Sequence, residues 1–208
     1  ALDRDLLREL LGQEELRDLI APEALRKVED DAQHRSEHLR ARSADEIHDL
    51  LRQLGDLTAD EIRERTTLPE RVDPWLRDLA RQRRAVALRL AGQRRWIAAE
   101  DAGLFRDALG VRPPADLPTA FLAEVTGARE RLVRRFARTH GPFDTAALTA
   151  RYGIPATATL ADLEQRGHLL RGELRPEGSG REWCDPEIVR RLRRASLAVL
   201  RREIEPVE

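Results

Sequence analysis

The sequence predicts a mainly α protein (α+β), in which an N-terminal helical segment precedes two tandem winged-helix modules with β-hairpin wings. Short amphipathic helices are followed twice by a hairpin pattern, and the copies lie about 87 residues apart, the spacing of Trp96 and Trp183. Charged residues make up 36% of the chain and aromatic residues only 4%, so the core must rest on Leu, Ala, Val and Ile. That composition favours small helical modules.

The N-terminal segment reads as helix. Leucines recur at helical spacing from Leu2 to Leu11, and a further helix is predicted over 22–39, with Pro22 in its first turn. "HRSEH" at 34–38 would then place His34 and His38 one turn apart and matches the H-x-x-E-H zinc-protease pattern. Zinc would need a third ligand and a closed site, and the polar stretch is better explained as a solvated helix face.

The first winged-helix copy is read from its caps and its turn. "SADE" at 43–46 and "TADE" at 58–61 are capping boxes, each opening a helix. Asp73-Pro74 predicts an N-cap and a first-turn proline for a third helix, which extends to about Gln82. "RRAVALRLAGQRRWIAA" then contains two β-prone runs joined at Ala91-Gly92-Gln93, which predicts the first wing.

The second copy repeats this order. Helices are predicted over 129–139, 144–152 and 157–165, and "HLLRGELRPEGSGREWC" predicts the second wing. "LGDLTADEIRERTTLP" aligns with "HGPFDTAALTARYGIP". The expected parts are a helical segment at 1–42, winged-helix module 1 at 43–110, a linker and helix at 111–126, and winged-helix module 2 with a C-terminal helix at 127–208.

The Trp-Cys-Asp-Pro step at the end of the second wing is predicted to be structural. Trp183 and Trp96 hold the same place in the two copies, which favours packing of each wing onto its helices. Cys184 stands where Ile97 stands in the first copy and is expected to be buried and metal-free. Asp185 is predicted to cap the following helix, with Pro186 in its first turn.

Charge and cysteine content indicate the kind of partner and the cellular compartment. The net charge is −1, but residues 127–208 hold 16 basic against 12 acidic residues, which mildly favours an anionic partner there. One cysteine makes no internal disulfide, so a reducing cytoplasm is expected. No apolar run approaches the length needed to cross a membrane. The chain has no Met, so we expect a piece of a longer protein.

Three stretches carry a family resemblance: "LRPEGSGREWCDPEIVRRLRRASLAVLRREIEPVE", "LLRELLGQEELRDLI" and "HDLLRQLGDLTADEI". They resemble the large helicase-related (Lhr-type) superfamily 2 helicases, in the region after the two RecA-like motor domains and the first winged helix. The resemblance implies an ATP-dependent 3′-to-5′ DNA helicase, acting in DNA repair, whose post-motor winged helices touch the loaded strand, with one tryptophan stacked on a base. The implied partners are single-stranded or tailed duplex DNA and the motor domains of the same chain.

Departures from the family's enzymatic motifs indicate that the fragment itself is non-catalytic. The sequence contains no GxxxxGK[ST] phosphate loop and no DExH motif, so ATP and Mg belong to the motor domains of the parent protein and no cofactor is expected here. The array is also similar to that of an alkylpurine DNA glycosylase family. The catalytic Gln-x-Gln pair of that family is absent, since Gln82, Gln93 and Gln165 stand apart.

DNA contact is expected at the third helix and wing of module 1, the elements with which winged helices usually meet DNA. Trp75 has no counterpart in the second copy and is a candidate to stack on an unpaired base, with packing at the start of its helix as the alternative. Arginine guanidinium groups suit phosphates. The predicted DNA-binding residues are Trp75, Arg77, Arg81, Arg84, Arg89, Arg94 and Arg95. A protein–protein or spacer module without autonomous DNA binding remains the competing function.

Overall fold

A computed structural model describes residues 16–204, with side chains to residue 202. Short 3-10 turns at Arg17–Leu19, Glu37–Leu39, Pro69–Arg71, Ala99–Asp101 and Thr119–Leu122 connect the regular elements. The helices of this part of the chain are α1 (Pro22–Ala32), α2 (Ala44–Leu54), α3 (Ala59–Arg63), α4 (Val72–Arg81), α5 (Ala102–Leu109), α6 (Ala128–Thr139), α7 (Thr145–Tyr152), α8 (Thr157–Gln165) and α9 (Pro186–Ile204). The strands are β1 (Ala85–Leu90), β2 (Gln93–Ala98), β3 (Leu170–Gly172) and β4 (Glu182–Cys184). The mainly α class with two hairpins is confirmed, while the predicted helices before Leu16 lie outside the described residues.

The two predicted capping boxes form to different extents. At α3 the box is complete: the Thr58 hydroxyl accepts from the Glu61 N–H at 3.1 Å, and the Glu61 carboxylate accepts from the Thr58 N–H at 2.8 Å. At α2 the Ser43 hydroxyl accepts from the Glu46 N–H at 3.2 Å. The Glu46 carboxylate, however, reaches past Ser43 to the N–H of Arg42, so only half of that box exists.

The start of α4 differs from the prediction. The helix begins at Val72, directly after the 3-10 turn, and Arg71 holds the N-cap position without a side-chain hydrogen bond. Asp73 therefore already lies in the first turn and does not cap. Its two carboxylate oxygens instead accept from Nη2 of Arg63, each at 2.8 Å, and tie the beginning of α4 to the end of α3.

The predicted continuous helix over 22–39 is also wrong. α1 ends at Ala32, and His34 has a φ of 55°, a left-handed conformation that interrupts the helix. His34 and His38 therefore do not share a helix face, and the H-x-x-E-H reading loses its geometric basis. No group of three or more His, Cys, Asp or Glu residues within 16–204 is arranged to hold a metal ion.

Both wings form as antiparallel hairpins, and each is joined to its module in the same way. In the first, Ala85 pairs with Ala98 through to Leu90 with Gln93, and the two-residue turn has positive φ at Ala91 (46°) and Gly92 (82°), as a primed hairpin turn requires. The second pairs only three residues a side. Single bridges, Leu57 with Trp96 and Phe143 with Trp183, add a further segment to each wing and reproduce the repeat.

The apolar side chains of the described residues form three clusters, each with members from more than one of the predicted parts. One lies between α2, α3 and α4. A second, larger one contains the inner face of the first wing, α5, α6, α7 and α8, so wing 1 and module 2 share a core. The third joins α1 to α9, burying Leu25, Val28 and Ile188. The boundaries at 42, 110 and 127 remain predictions.

The Trp-Cys step at the end of β4 is buried, as predicted. Trp183 is 4% exposed and its Nε1 donates to the Thr145 hydroxyl at 3.1 Å, so the ring holds wing 2 on α7. Cys184 is fully buried between α1 and α9, and burial raises the pKa of its thiol well above the ordinary value. A thiol in that state is a poor nucleophile.

Candidate nucleic-acid interface

The seven predicted DNA-binding residues fall into three groups according to what surrounds their side chains. Trp75 and Arg95 are buried. Arg81 and Arg84 reach solvent but are engaged by neighbouring carboxylates. Arg77, Arg89 and Arg94 are exposed and have no ion pair with any residue of the described range.

Trp75 packs inside module 1 and does not protrude. The side chain is 9% exposed and lies in the cluster that contains Leu76 and Leu79 of the same helix. Positions 72, 75, 76 and 79 form the inner face of α4, and helical spacing carries Trp75 to that side. The packing alternative describes the ring in this structure, and stacking of Trp75 on a base stays a prediction.

Arg95 is likewise turned inward. It is paired with Leu88 on the inner face of the hairpin, and its Nη1 lies 3.3 Å from the Asp56 carboxylate and 3.1 Å from that of Glu61. Alternation along β2 places it opposite to Arg94 and Trp96. The Arg95 side chain is only 9% exposed and lies beside two carboxylates, which disfavours contact with phosphate. That contact stays a prediction.

The arginines around the C-terminus of α4 are mostly held by acids. Arg81 pairs with Asp78 one turn earlier. Arg84 donates to the Asp45 carboxylate at 2.5 Å and lies 3.2 Å from Nδ1 of His48. An anion would have to displace these partners, so the predicted third-helix surface is weaker than its arginine count suggests.

The outer face of wing 1, formed by Ala87, Arg89, Arg94 and Trp96, carries two of the predicted arginines that are exposed and without an ion pair to any described residue. Arg89 and Arg94 stand directly opposite each other in the hairpin register. The Arg94 guanidinium lies over the Trp96 ring at 5.2 Å, and Arg89 donates only to the Gly92 carbonyl, at 3.1 Å. Two exposed guanidinium groups therefore face solvent side by side beside a half-buried aromatic ring.

A buried polar cluster joining the two modules was not foreseen from the sequence. Asp56 is completely buried; its carboxylate accepts from the Tyr152 hydroxyl at 3.0 Å and lies 3.0 Å from Nε of Arg151 and 3.3 Å from Nη1 of Arg95. Arg151 also donates to Glu61 at 3.0 Å. These residues are separated by up to 96 positions in the chain, so no local motif signals them.

The cluster is electrostatically matched. Burial alone would raise the pKa of Glu61, but the charge and hydrogen bond of Arg151 and the Thr58 N–H outweigh it, and the pKa is lowered. Burial would lower the pKa of Arg151, yet Asp56 and Glu61 raise it. Burial, and the neighbouring Asp56 charge, raise the pKa of Tyr152. The Glu61 carboxylate and the Arg151 guanidinium group are thus ionised, while the Tyr152 phenol stays protonated and donates.

His140 at the end of α6 is expected to make stability depend on pH. Burial, and then repulsion by Arg151, lower its pKa from 6.5 to about 3; the ring stacks on Phe136 at 3.7 Å. Below pH 6.5 the His140 side chain is protonated in the unfolded chain but stays neutral in the folded one, so the folded state loses stability as the pH is lowered. Between pH 7 and 5 this residue should cost about 2 kcal/mol, at about 1.4 kcal/mol per unit. Urea titrations at pH 7 and pH 5 measure the free energy of unfolding, and His140→Phe should lack this loss of about 2 kcal/mol. If the variant loses as much stability as the wild type, the prediction is wrong.

None of the helices in residues 16–204 combines the length and the apolar character that a membrane span needs.

Comparison with known proteins adds the family. The model of the winged-helix domain of large helicase-related protein matches residues 18–124, just over half of the chain. A Mycolicibacterium smegmatis protein named Lhr helicase/probable uracil glycosylase is 41% identical over all of this chain and 14% of its own length. An Escherichia coli protein named Lhr helicase/uracil glycosylase is 32% identical over all of this chain and 13% of its own length.

The chain thus spans about one seventh of the curated relatives that it matches. Their similarity extends along both hairpins and the helices between them, in agreement with the winged-helix architecture described above. On this evidence, the chain belongs to the large helicase-related (Lhr) family.

Proposed function

We propose that this chain is a non-catalytic, nucleic-acid-contacting region of an ATP-dependent 3′-to-5′ DNA helicase that acts in DNA repair. The carrying observation is the exposed pair of Arg89 and Arg94 on the outer face of wing 1. The relatives' names contain "helicase", while the proposed motor domains, with their ATP and Mg, belong to the parent protein outside this sequence. The reducing cytoplasm is the proposed location, since Cys184 is a free thiol.

The arginine pair is suited to phosphate. Like charges directly opposite each other on two strands destabilise a hairpin, and a bound anion removes that cost. A guanidinium group donates two parallel hydrogen bonds to phosphate oxygens. The Arg94 guanidinium carbon also lies 5.2 Å from the centre of the Trp96 ring, within the range of a cation–π contact. The face thus offers two exposed guanidinium groups, side by side, to neighbouring oxygens of a nucleic-acid backbone.

The packing of wing 1 favours contact with the phosphate backbone of a nucleic acid over recognition of its base sequence. Its inner face, with Leu88 and Leu90, is buried in the core shared with module 2, while Arg89 and Arg94 on the outer face are exposed. On α4, Arg81 is neutralised and Trp75 is buried. Phosphate contacts position a protein on nucleic acid but carry no base information. That property suits a protein that moves along its strand.

The proposal is tested by replacing both wing arginines. Arg89→Ala/Arg94→Ala should lower affinity for a single-stranded oligonucleotide and reduce the slope of log K against log [salt] by about 1.4, since each phosphate contact contributes about 0.7. Fluorescence anisotropy across a salt series measures both. Arg81→Ala, which removes an arginine already paired with Asp78, is the control and should change the slope little. An unchanged slope in the double variant contradicts this contact.

The competing function is a spacer that holds other parts of the protein at a fixed distance. The shared core and the Asp56 cluster favour it, because they join the two modules tightly, and the net charge of −1 is low for a DNA-binding chain. Phosphate contacts are strong at about 50 mM salt. If the 208-residue chain does not bind DNA there, the spacer function is favoured over DNA contact. We propose no glycosylase activity for this chain, because Gln82, Gln93 and Gln165 form no Gln-x-Gln pair.

A further inference from the structure

Helix α6 carries three arginines along its outer side. Arg131, Arg134 and Arg138 stand at positions i, i+3 and i+7, which share one face of a helix. The opposite face, with Leu132 and Phe136 among its residues, is buried in the core shared by the two modules. Other sides of α6 pack against neighbouring helices, and these three arginines, the α6 ridge, lie on a side that faces solvent.

The arginines of the α6 ridge have no side-chain partners among residues 16–202. Arg131 and Arg138 are exposed and Arg134 is half-buried, and no ion pair or side-chain hydrogen bond joins any of them to a described residue. Arg135, in the same helix, shows the contrast: its guanidinium lies 2.5 Å and 3.0 Å from the two carboxylate oxygens of Asp101. Among the described residues, therefore, Arg135 has an acidic partner and the arginines of the α6 ridge have none.

Helix stability does not account for the α6 ridge. Like charges spaced three and four residues apart destabilise a helix, which applies to Arg131 with Arg134 and to Arg134 with Arg138. Arg131 is also the fourth residue of α6, near the helix N-terminus, where the dipole disfavours a cation. Only Arg138, in the last turn, is favourably placed by that measure. The arrangement weakens the free helix and becomes favourable when an anion is bound.

The surroundings of the α6 ridge indicate which polyanion. Protein interfaces place an apolar or aromatic anchor at their centre. The large apolar side chains exposed within residues 16–202 are Leu19, Leu68, Leu197 and Leu200, and none belongs to α6. Contacts to a phosphate backbone need no such anchor.

We propose that the α6 ridge is a second nucleic-acid contact, which binds backbone phosphates independently of base sequence. This inference rests on the proposed nucleic-acid contact of the chain and adds a surface on module 2 to the one on wing 1. An acidic protein segment is the alternative partner that the experiment must exclude.

The experiment uses the whole 208-residue chain and a fluorescent oligothymidylate. Arg131→Ala/Arg134→Ala/Arg138→Ala should lower affinity at about 50 mM salt by roughly 10- to 100-fold and reduce the salt slope by about 2, from three contacts of about 0.7 each. A matched control removes three arginines that are paired with carboxylates, Arg63, Arg166 and Arg190, for the same change in net charge. The salt slope of the control variant should differ from the wild-type slope by less than about 0.7, the contribution of one phosphate contact.

Each outcome decides between the surfaces. A ridge variant with wild-type slope, in a chain whose wing variant has lost binding, overturns the ridge and leaves the proposed function standing. A wild-type chain that does not bind overturns both. If the ridge and control variants lose the same affinity and the same salt slope, net charge explains the effect, and the proposal for the α6 ridge is wrong. Polyglutamate of matched charge is the last arm: a ridge-dependent affinity for it that exceeds the affinity for oligothymidylate identifies an acidic protein partner and overturns the proposal. Circular dichroism melts confirm that the variants are folded.

Discussion

Replacement of Asp56 by alanine is expected to lower the free energy of unfolding by about 3–5 kcal/mol, the cost of breaking a buried ion pair from one side. The Asp56 carboxylate is completely buried, and its loss leaves the Arg151 and Arg95 side chains, 13% and 9% exposed, with Glu61 as their remaining acid. The Tyr152 hydroxyl loses its acceptor as well. Because these partners come from both modules, unfolding should remain a single transition, shifted to lower urea.

Asp60→Ala is the control for this prediction. Asp60 pairs with Arg63 on the surface, with its side chain 89% exposed, and such pairs contribute about 0–1 kcal/mol. Urea unfolding followed by far-UV circular dichroism measures both variants at pH 7. The prediction is wrong if the two lose the same stability. A double-mutant cycle between Asp56→Ala and Tyr152→Phe should then show coupling, since the two groups share a hydrogen bond of 3.0 Å.

Trp75→Ala is expected to cost a similar amount, about 3–5 kcal/mol, because it removes a large side chain from the core of module 1 and leaves a cavity. The affinity for DNA should not change, since a side chain that is 9% exposed makes no stacking contact. Trp75→Phe, which fills more of the space, should lose less. Thermal melts and the anisotropy salt series together measure the outcome.

The opposite result would restore the stacking function. Weaker DNA binding with an unchanged melting temperature in Trp75→Ala would mean that the ring leaves the core in the complex. Stacking on an unpaired base is worth about 1–3 kcal/mol per base and would appear whatever the base. Trp96→Ala separates the two tryptophans, because Trp96 is half-buried beneath Arg94 on the proposed contact face.

Local signals explain why the fold was readable from the sequence. The complete capping box of Thr58 and Glu61 and the two-residue turn at Ala91-Gly92 are short-range chemistry, and both formed where the sequence placed them. The errors arose where two local signals competed. Pro69–Arg71 begins a turn that runs into α4 before Asp73 can cap it, and His34 adopts a left-handed conformation inside an otherwise helical pattern.

The candidate site was less predictable because its residues are selected by face and by distant partners. Period-two alternation separates Arg94 from Arg95, a distinction that was available in the sequence once β2 was assigned. The partner of Arg95, Asp56, lies 39 residues away, and no local pattern marks it. The α6 ridge has a readable signal, arginines at i, i+3 and i+7, but which arginines stay unpaired depends on the packing around them.

The burial of wing 1 against module 2 has a consequence for the nascent chain. The wing is complete once residue 98 has been synthesised, yet the helices that share its core end only at Gln165. At about 5–20 residues per second, the ribosome adds the intervening stretch in roughly 3–13 s. Throughout that interval Leu88, Leu90 and Ile97 have no cover from module 2, on a hairpin that is marginally stable alone. A translational pause within 99–165 would therefore prolong exposure of this apolar surface to chaperones, to proteases and to other nascent copies of the chain.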